Sequence, residues 1–439
     1  MTRLVQPTRI LIVGKGAREH ALAWKLAAEP GVNDVVVVPA THVLEKMARV
    51  RGGPAINTLS ASGVVEIARS CAAELVVIGP EAPLAAGVAD ALIEAGIRVF
   101  GPTAAAARIE SSKAFCREVA EAAGVPMARG RAFAPTDPSA GLAYAMGLDR
   151  GGRVVVKADG LAAGKGVTVC DSLDEAAAAI AGQPDAFVVE ERLEGREASV
   201  IALCDGRDAV ALPISRDHKR LGDGDTGPNT GGMGAYSPVP DLPDDAADAI
   251  LDTFHRPVLA ELARRGTPFT GALYAGLMLT ADGPRLLEFN ARFGDPETQV
   301  ILPRLATPLA PWLLAAARGS LGSAAPLATL PGAAVGIVLA SEWYPGEPNE
   351  APTDRRITAL DDDGTLPDAP GVLVFHSGSV HELPGTFLAT GGRILTVVGR
   401  GPDLPAARAL AEAAADRIAW VGAQRRHDIG IATPVGAPA

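Results

Sequence analysis

The first hundred residues alternate short apolar runs with helix-like segments, and this alternation restricts the fold more than any other feature. The apolar runs cover residues 9–13, 34–38, 75–78 and 97–100, and helix-like segments lie between them at 19–28 and 85–95. Parallel strands need long crossover connections, which are usually helices, and such helices cover both faces of the sheet. The pattern therefore predicts an N-terminal doubly wound parallel-sheet α/β domain over residues 1–105.

The remaining sequence predicts two more domains. Strand-like runs lie at 153–157, 167–170, 186–191 and 285–292, with helices at 111–123 and 172–181. Six of the thirteen residues in 222–234 are glycine, which predicts a mobile loop without regular structure. Further strand-like runs at 333–340, 371–375 and 393–398, with a helix at 406–418, predict a small C-terminal α+β domain. We place the domains at 1–105, 106–328 and 329–439.

Composition and charge exclude several classes of protein. A chain with 48% hydrophobic and 21% charged residues is globular rather than disordered. Its net charge of −11, without a basic block, disfavours nucleic acids and anionic membranes as partners. The uncharged stretch 319–341 is broken by proline and glycine, so it predicts a linker and a strand rather than a membrane span.

The cysteines and the N-terminus point to the cytoplasm. Four cysteines lie far apart without a Cys-x-x-Cys motif, which disfavours a zinc ribbon or a disulfide framework and fits buried thiols in a reducing compartment. The first residues lead into a strand without a signal-peptide pattern. We therefore expect a cytoplasmic protein.

The turn Gly14-Lys15-Gly16 follows the first strand and opens a helix. Backbone N–H groups at a helix N-terminus bind anions, and glycines let a phosphate come close. A dinucleotide site also needs an acidic residue near the end of the second strand, but that strand ends at Pro39-Ala40-Thr41. The turn therefore predicts either a phosphate site or an ordinary tight turn, and disfavours NAD.

Two lysines flank the Gly-rich turn after residues 153–157. Lys157 ends that strand and Lys165 lies eight residues later, a spacing suited to successive phosphates of a nucleotide. The alternative is a hairpin with two solvated lysines. Only seven of the 40 basic residues are lysine, and a compact ammonium fits between phosphate oxygens as a point charge, whereas a guanidinium is a planar fork. This scarcity favours the nucleotide interpretation.

The strand-like run 285–292 places Glu288, Asn290 and Arg292 on one face, because side chains alternate along a strand. Two oxygen ligands on one face suit Mg²⁺, which completes its shell with phosphate and water. Arg292 beside them is suited to gripping a carboxylate or phosphate. The alternative is an amphipathic strand with a solvated polar face.

The charged segment 216–220 directly precedes the glycine-rich segment 222–234. Clustered hydrogen-bond donors beside a flexible segment are typical of a lid that closes over anions and excludes water. The alternative is a charged surface turn.

Taken together, these segments resemble the ATP-grasp superfamily and, within it, the phosphoribosylamine–glycine ligase family, over nearly the whole chain. The most specific match is Asp217-His218-Lys219-Arg220 with the run 225–238. Other matching segments are Arg18-Glu19-His20-Ala21, 79–84, 157–167, 288–297, 376–378 and 391–393. The resemblance implies an ATP-grasp fold between the N-terminal doubly wound domain and the C-terminal α+β domain.

The resemblance also implies roles for individual residues. Three groups of residues are implied to contact ATP. The phosphates are contacted by Lys113, Lys157 and Lys165, and the adenine hinge is formed by Glu190, Glu191 and Leu193. The ribose is contacted by Glu197. Those implied to hold Mg²⁺ or Mn²⁺ are Glu288 and Asn290. Those implied around the amino acid and its acyl phosphate are Arg292, Asp217, Lys219, Asp295, Asn229, Thr230, Gly231, Gly232 and Met233. Those implied at the phosphorylated amine are Gly14, Lys15, Gly16, Arg18, Glu19 and Glu81.

The reaction that the resemblance implies joins glycine to 5-phosphoribosylamine through glycyl phosphate and yields glycinamide ribonucleotide, ADP and phosphate. Transfer of the ATP γ-phosphate gives the carboxylate a good leaving group, which the amine then displaces. The implied enzyme acts in purine biosynthesis on small molecules, as a monomer.

Three other functions remain open at this point. The family usually has Asn and Gly where this chain has Lys15 and Ala17, and Pro-Gly-Asn-x-Gly in place of residues 39–43. Both departures fall on the expected amine face, so one alternative is a paralogue that ligates another amine or amino acid in specialised metabolism. The second is an ATP-binding regulatory protein with an inactive site, against which the intact lysines and Glu288 argue. The third, a nicotinamide oxidoreductase, lacks the acidic residue of the second strand.

Overall fold

The computed structural model describes residues 4–161, 166–322, 327–346 and 355–431. Its N-terminal part is a five-stranded parallel sheet in the order β3-β2-β1-β4-β5. The elements are β1 Arg9–Val13, α1 Ala17–Ala27, β2 Asp34–Val38, α2 His42–Glu45, β3 Val50–Gly52, α3 Ala61–Ser70, β4 Leu75–Ile78, α4 Glu81–Ala85, α5 Val88–Glu94 and β5 Val99–Phe100. The predicted doubly wound parallel sheet is confirmed.

Two details of this domain differ from the sequence prediction. Residues 85–95 do not form one helix, because Gly87 adopts a left-handed conformation with φ of 80° and separates α4 from α5. The strand predicted at 97–100 is limited to β5, Val99–Phe100. The last four of the five residues of β1, from Ile10 onwards, are buried, as a parallel sheet covered on both faces requires.

The middle of the chain forms two four-stranded antiparallel sheets, ordered β6-β9-β7-β8 and β11-β10-β16-β17. The elements are α6 Ala104–Ser111, α7 Lys113–Ala122, β6 Gly130–Phe133, α8 Pro138–Leu148, β7 Val154–Ala158, β8 Val167–Val169, α9 Leu173–Ala181, β9 Phe187–Glu191, β10 Arg196–Asp205, β11 Ala209–Ala211, β12 Arg216–Asp217, β13 Arg220–Gly222, β14 Thr226–Asn229, β15 Gly234–Ser237, α10 Ala247–Ile250, α11 Arg256–Arg264, β16 Thr270–Thr280, β17 Gly283–Asn290, α12 Glu297–Ile301 and α13 Ala310–Ala317. A π-helical stretch, Leu251–His255, joins α10 to α11.

The glycine-rich segment is more regular than predicted. We expected no regular structure in 222–234, but β13 and β14 form an antiparallel ribbon and β15 begins at Gly234. Gly224 and Asp225 both have positive φ in the turn of this ribbon, which lets the two strands reverse and pair. The glycines thus supply a tight turn rather than preventing a hairpin.

The C-terminal part contains a six-stranded sheet and a three-stranded sheet ordered β19-β22-β21. The elements are β18 Ala333–Ser341, β19 Arg356–Ile357, β20 Val372–His376, β21 Ser379–Leu383, β22 Thr386–Ala389, β23 Arg393–Gly401, α14 Leu404–Arg417 and β24 Ala423–Gln424. The larger sheet runs β12-β15-β18-β23-β20, with β24 also paired to β18. Because β12 and β15 precede residue 328, this sheet draws on two parts of the chain. The boundaries at 105 and 328 stay a prediction.

Two properties expected from composition can be compared with the structure. All four cysteines, Cys71, Cys116, Cys170 and Cys204, are buried and free. In the described part of the chain, no helix has both the length and the apolar character needed to cross a bilayer.

Candidate active site

Lys157 links the two sheets of the middle region. Its Nζ lies 2.6 Å from Glu190 Oε2 on β9 and donates to the carbonyl oxygen of Leu287 on β17 at 2.8 Å. Leu287 directly precedes Glu288, so the predicted phosphate-binding lysine and the predicted metal ligand line the same cleft. Lys165 lies outside the described residues, and its predicted place stays untested.

Glu288 and Asn290 lie side by side on β17. Asn290 Nδ2 donates to Glu288 Oε1 at 3.3 Å, which leaves the amide oxygen of Asn290 available as a ligand. Burial alone would raise the pKa of Glu288, but Lys219, Lys113 and Lys157 lower it to about 2. A half-buried carboxylate held ionised among three ammonium groups fits a cation that carries phosphates.

The segment from β9 to β10 carries the residues predicted at adenine and ribose. Glu190 is buried and accepts from Arg117 Nη2 at 2.9 Å, in addition to Lys157. Glu191 accepts from the backbone N–H of Arg129 at 2.8 Å. Leu193 is half-buried in the link between the two sheets, and Glu197 pairs with Lys219 at 2.7 Å. This link is where a hinge between the sheets was predicted.

Asp217 belongs to a buried polar cluster. The Ser199 hydroxyl lies 3.3 Å from Asp217 Oδ1, 2.9 Å from the Tyr274 hydroxyl and 3.2 Å from Glu297 Oε1. Burial raises the pKa of Asp217 to about 8, with Lys219 acting against it and Glu297 adding to it. Burial therefore favours the neutral form of this carboxyl over its ionised form.

We expect Asp217→Asn to remove a pH dependence of stability. The folded pKa of Asp217 lies near 8, above an unfolded value of about 3.9. Its neutral form therefore stabilises the fold fully below pH ~4, and this contribution is lost as the pH rises towards 8. Urea unfolding at pH 5 and pH 9 should show a larger loss of unfolding free energy for the wild type than for the variant. Equal losses of unfolding free energy in the wild type and the variant would contradict the raised pKa of Asp217.

Arg292 lies between the middle and N-terminal parts of the chain. Its Nη2 is 3.1 Å from Glu110 Oε1, its Nε is 3.5 Å from Glu81 Oε2, and its Nη1 donates to the carbonyl oxygen of Phe293 at 3.1 Å. Burial would lower the pKa of Arg292, but Glu110 and Glu81 raise it, so the guanidinium stays charged. It is a fixed cation facing the cleft.

The glycine-rich segment is tied to the C-terminal part. Arg393 pairs with Asp295 Oδ2 at 2.8 Å and donates to the carbonyl oxygen of Gly231 at 2.8 Å, and the Gly231 N–H donates to the Tyr344 hydroxyl at 2.7 Å. Gly232 has a φ of 109°, and a Cβ there would lie 2.5 Å from Pro296.

The other members of this segment hold it to neighbouring strands. Thr230 donates from its hydroxyl to the carbonyl oxygen of Lys219 at 2.8 Å. Met233 is buried, and Asn229 Nδ2 donates to the carbonyl oxygen of Val167 at 3.4 Å. The structure thus brings residues 229–233 beside Asp295 and β8, and the lid interpretation stays a prediction.

The N-terminal turn is organised by Glu19. The Gly16 N–H donates to Glu19 Oε2 at 2.6 Å and Arg18 Nε donates to Oε1 at 2.6 Å, so both carboxylate oxygens are used within the protein. Arg18 also donates to the carbonyl oxygen of Phe293 at 3.1 Å, which joins the turn to the Arg292 segment. Gly14 has a φ of 123°, and Lys15 is exposed.

We expect Gly79→Ala to destabilise this turn. A Cβ at Gly79 would lie 2.0 Å from Glu19 Oε1, and the hydrogen bonds of Glu19 prevent it from moving away. Overpacking of this kind costs about 1–3 kcal/mol, which thermal unfolding would detect. The matched control is Gly147→Ala in α8, where nothing lies within 4 Å and no loss is expected. Equal melting temperatures for both variants would contradict the prediction.

Sequence reasoning missed several residues that complete the cleft. Glu110 accepts from the backbone N–H of Ala291 at 2.7 Å and pairs with Arg292, although it lies far away in sequence. Ser199 and Tyr274 are ordinary strand residues without a motif. Arg393 carried a signal, because it ends the matching run 391–393, but its place beside Asp295 depends on tertiary structure.

Comparison with known proteins places this geometry in a family. Descriptions of phosphoribosylglycinamide synthetase match three consecutive parts of the chain: the N domain over residues 8–110, the ATP-grasp (A) domain over 111–298 and the C domain over 334–432. The phosphoribosylamine–glycine ligase of Streptomyces coelicolor is 47% identical over 422 residues, covering 96% of this chain and 98% of that protein. The Mycobacterium leprae protein of the same name is 44% identical and covers 98% and 99%.

Solved structures of similar proteins support the same family and fold. Phosphoribosylamine–glycine ligase of Thermotoga maritima superposes with a TM-score of 0.77 at 32% identity, covering 96% of this chain and 99% of that one. Biotin carboxylase of Campylobacter jejuni, at 16% identity, has a TM-score of 0.70 over 95% and 93% of the chains, which shows the shared fold alone. The predicted ATP-grasp fold is confirmed, and the chain belongs to the phosphoribosylglycinamide synthetase family.

Proposed function

We propose that this chain is the ATP-dependent ligase that joins glycine to 5-phosphoribosylamine and forms glycinamide ribonucleotide, ADP and phosphate. The observation that most strongly supports this proposal is the ionised Glu288, which lies beside Asn290 in a cleft shared with Lys157, Lys113 and Lys219. The relatives from Streptomyces coelicolor and Mycobacterium leprae are both named phosphoribosylamine–glycine ligase and match over nearly their whole length, which supports phosphoribosylamine as the amine despite the altered turn at Lys15.

We propose Glu288 and Asn290 as the ligands of Mg²⁺, or of Mn²⁺, and Lys157, Lys113 and Lys165 as phosphate contacts. When bound, the metal and ATP supply a phosphoryl group whose negative charge is partly neutralised. The lysines hold the phosphate oxygens in the cleft, and their charge favours the transition state of transfer to a carboxylate. The segment Glu190–Glu197 contacts adenine and ribose at the link between the sheets.

The glycine carboxylate binds to Arg292, whose charge is maintained by Glu110 and Glu81. Asp217, whose neutral form is favoured by burial, and Lys219, which pairs with Glu197 at 2.7 Å, also surround the carboxylate and its acyl phosphate. The 229–233 segment and Asp295 cover the acyl phosphate and exclude water, which would hydrolyse it. Arg18, Glu81 and the Gly14–Gly16 turn hold the phosphorylated amine at the helix N-terminus of α1.

The test is ADP release with purified protein, ATP, Mg²⁺ and a panel of amino acids and amines, with the product mass measured. We expect ADP to form only when glycine is present and the mass of glycinamide ribonucleotide to appear only with phosphoribosylamine. If glycine stimulates ADP release but a different amine is the acceptor, phosphoribosylamine is not the substrate. The proposed activation of glycine by ATP would still hold.

We further propose that the enzyme is a cytoplasmic monomer without a nucleic-acid partner. Support comes from the net charge of −11, the free buried cysteines and the small-molecule substrates. Light scattering during size-exclusion chromatography should give a mass near 44.8 kDa. A mass twice as large would contradict the monomer.

A further inference from the structure

Two histidines and one aspartate meet where the N-terminal part touches the C-terminal part. His42 begins α2, Asp362 lies in the loop after β19, and His381 lies on β21. One ligand atom from each residue lies within 4.8 Å of the other two. In the described part of the chain, no other group of three His, Cys, Asp or Glu residues comes this close.

The distances within this His42–Asp362–His381 cluster match those between ligands of a tetrahedral metal ion. His42 Nε2 lies 3.6 Å from Asp362 Oδ1, and His381 Nε2 lies 3.1 Å from the same oxygen. Ligand atoms bound to Zn²⁺ at about 2.0–2.1 Å in a tetrahedron are about 3.3 Å apart. These two distances bracket this value, so an ion fits between the three atoms once the stacked imidazole rings turn apart.

Neighbouring residues hold the aspartate in the orientation that a metal ligand needs. Lys46 Nζ contacts Asp362 Oδ2 at 2.7 Å, and the Gly385 N–H donates to Oδ1 at 3.1 Å. Lys46 thus orients Oδ2, and Oδ1, which also accepts from the Gly385 N–H, is the oxygen that faces the two histidines.

The histidines are also positioned together. Their rings stack at 3.4 Å with an interplanar angle of 5°, and both lie against Phe387 at 5.3–6.2 Å. The His42 and His381 side chains are 25% and 16% exposed, so an ion from solvent can reach them. In this arrangement His42 Nε2 contacts the carbonyl oxygen of Asp362 at 3.0 Å, a contact that an ion would replace.

We propose that His42, Asp362 and His381 form a binding site for Zn²⁺ or a similar imidazole-preferring divalent ion, with water in the remaining position. Two imidazoles and one carboxylate form a donor set that suits Zn²⁺, Ni²⁺ and Co²⁺ rather than Mg²⁺. Binding splays the stacked rings so that each nitrogen lone pair points to the ion, and it displaces any proton on those nitrogens.

This site is distinct from the nucleotide cleft. Its ligands do not include Glu288 or Asn290. The ion joins α2 to the loop after β19 and to β21, so it fastens the N-terminal part to the C-terminal part. Because it binds the folded protein, it raises the melting temperature.

The test is titration of chelator-stripped full-length protein with zinc chloride in excess MgCl₂, followed by calorimetry and thermal unfolding. We expect one Zn²⁺ per chain and a rise in melting temperature. His42→Gln, His381→Gln and Asp362→Asn should each weaken zinc affinity about tenfold or more. His427→Gln, a change at an exposed histidine outside the cluster, and Glu288→Gln should leave it unchanged.

Cobalt provides a second readout that does not depend on stability. Co²⁺ bound to the wild type should give visible d–d absorption that the His42→Gln/His381→Gln double variant lacks, and melting in EDTA verifies that each variant is folded. The proposal is overturned if the wild type shows no saturable zinc binding, or if the double variant binds zinc as tightly as the wild type does. An equal loss of affinity in His427→Gln or Glu288→Gln would also overturn it.

Discussion

Glu288→Gln should lower the rate of ADP formation about a thousandfold or more, because it removes the charged metal ligand without changing the shape of the side chain. In the wild type, Lys219, Lys113 and Lys157 hold the pKa of Glu288 near 2, so the carboxylate is ionised at every working pH. The neutral amide removes one negative charge from beside these three lysines and leaves Asn290 as the remaining proposed metal ligand on β17. Initial rates of ADP release with saturating ATP, glycine and amine measure the effect.

The control for this change is Asp282→Asn in the β16–β17 turn, which removes an acidic side chain from the same hairpin at an exposed position. We expect its rate to equal that of the wild type. Raising the Mg²⁺ concentration should restore part of the Glu288→Gln rate if the loss comes from weaker metal binding. If Glu288→Gln turns over ATP at a near-normal rate at low Mg²⁺, Glu288 is not a ligand of the metal ion.

The parts of the site that lie within one element could be predicted from the sequence. Strand periodicity alone placed Glu288 and Asn290 on one face, and the structure joins them by a hydrogen bond. The parallel N-terminal sheet was predictable for the same reason, since its buried strands are apolar runs between helices. The local sequence pattern is sufficient to predict a contact when the two residues in contact are also close in the sequence.

Contacts between distant segments could not be predicted in this way. Glu110 reaches Arg292 across 182 positions, and Arg393 reaches Gly231 across 162, because sheets and helices from different parts of the chain pack there. Residues 226–229 were missed as a strand because their pairing depends on the turn at Gly224 and not on apolar alternation. His42 and His381 lack any local motif, although their rings are in contact.

Arg292→Lys should lower kcat/KM for glycine about a hundredfold or more and leave ADP binding unchanged. Arg292 contacts Glu110, Glu81 and the carbonyl oxygen of Phe293 through three different nitrogens, whereas lysine has one nitrogen and no planar fork. The variant keeps the charge, so it avoids the loss of about 3–5 kcal/mol that follows when a buried pair loses one partner. Kinetics with varied glycine at saturating ATP, together with calorimetry of ADP binding, separate the two effects.

The matched control is Arg207→Lys, the same exchange at an exposed position, which should leave kcat/KM unchanged. Glu110→Gln tests the positioning of the guanidinium separately, because it removes the partner at 3.1 Å and keeps Arg292 itself. If Arg292 binds the glycine carboxylate, Glu110→Gln should raise KM for glycine less than Arg292→Lys does, since the fork stays in place. The alternative is that Arg292 only joins the N-terminal and middle parts of the chain. In that case Arg292→Lys should lower the melting temperature and the ADP affinity together, while KM for glycine stays constant. This result would show that the proposed carboxylate contact is wrong.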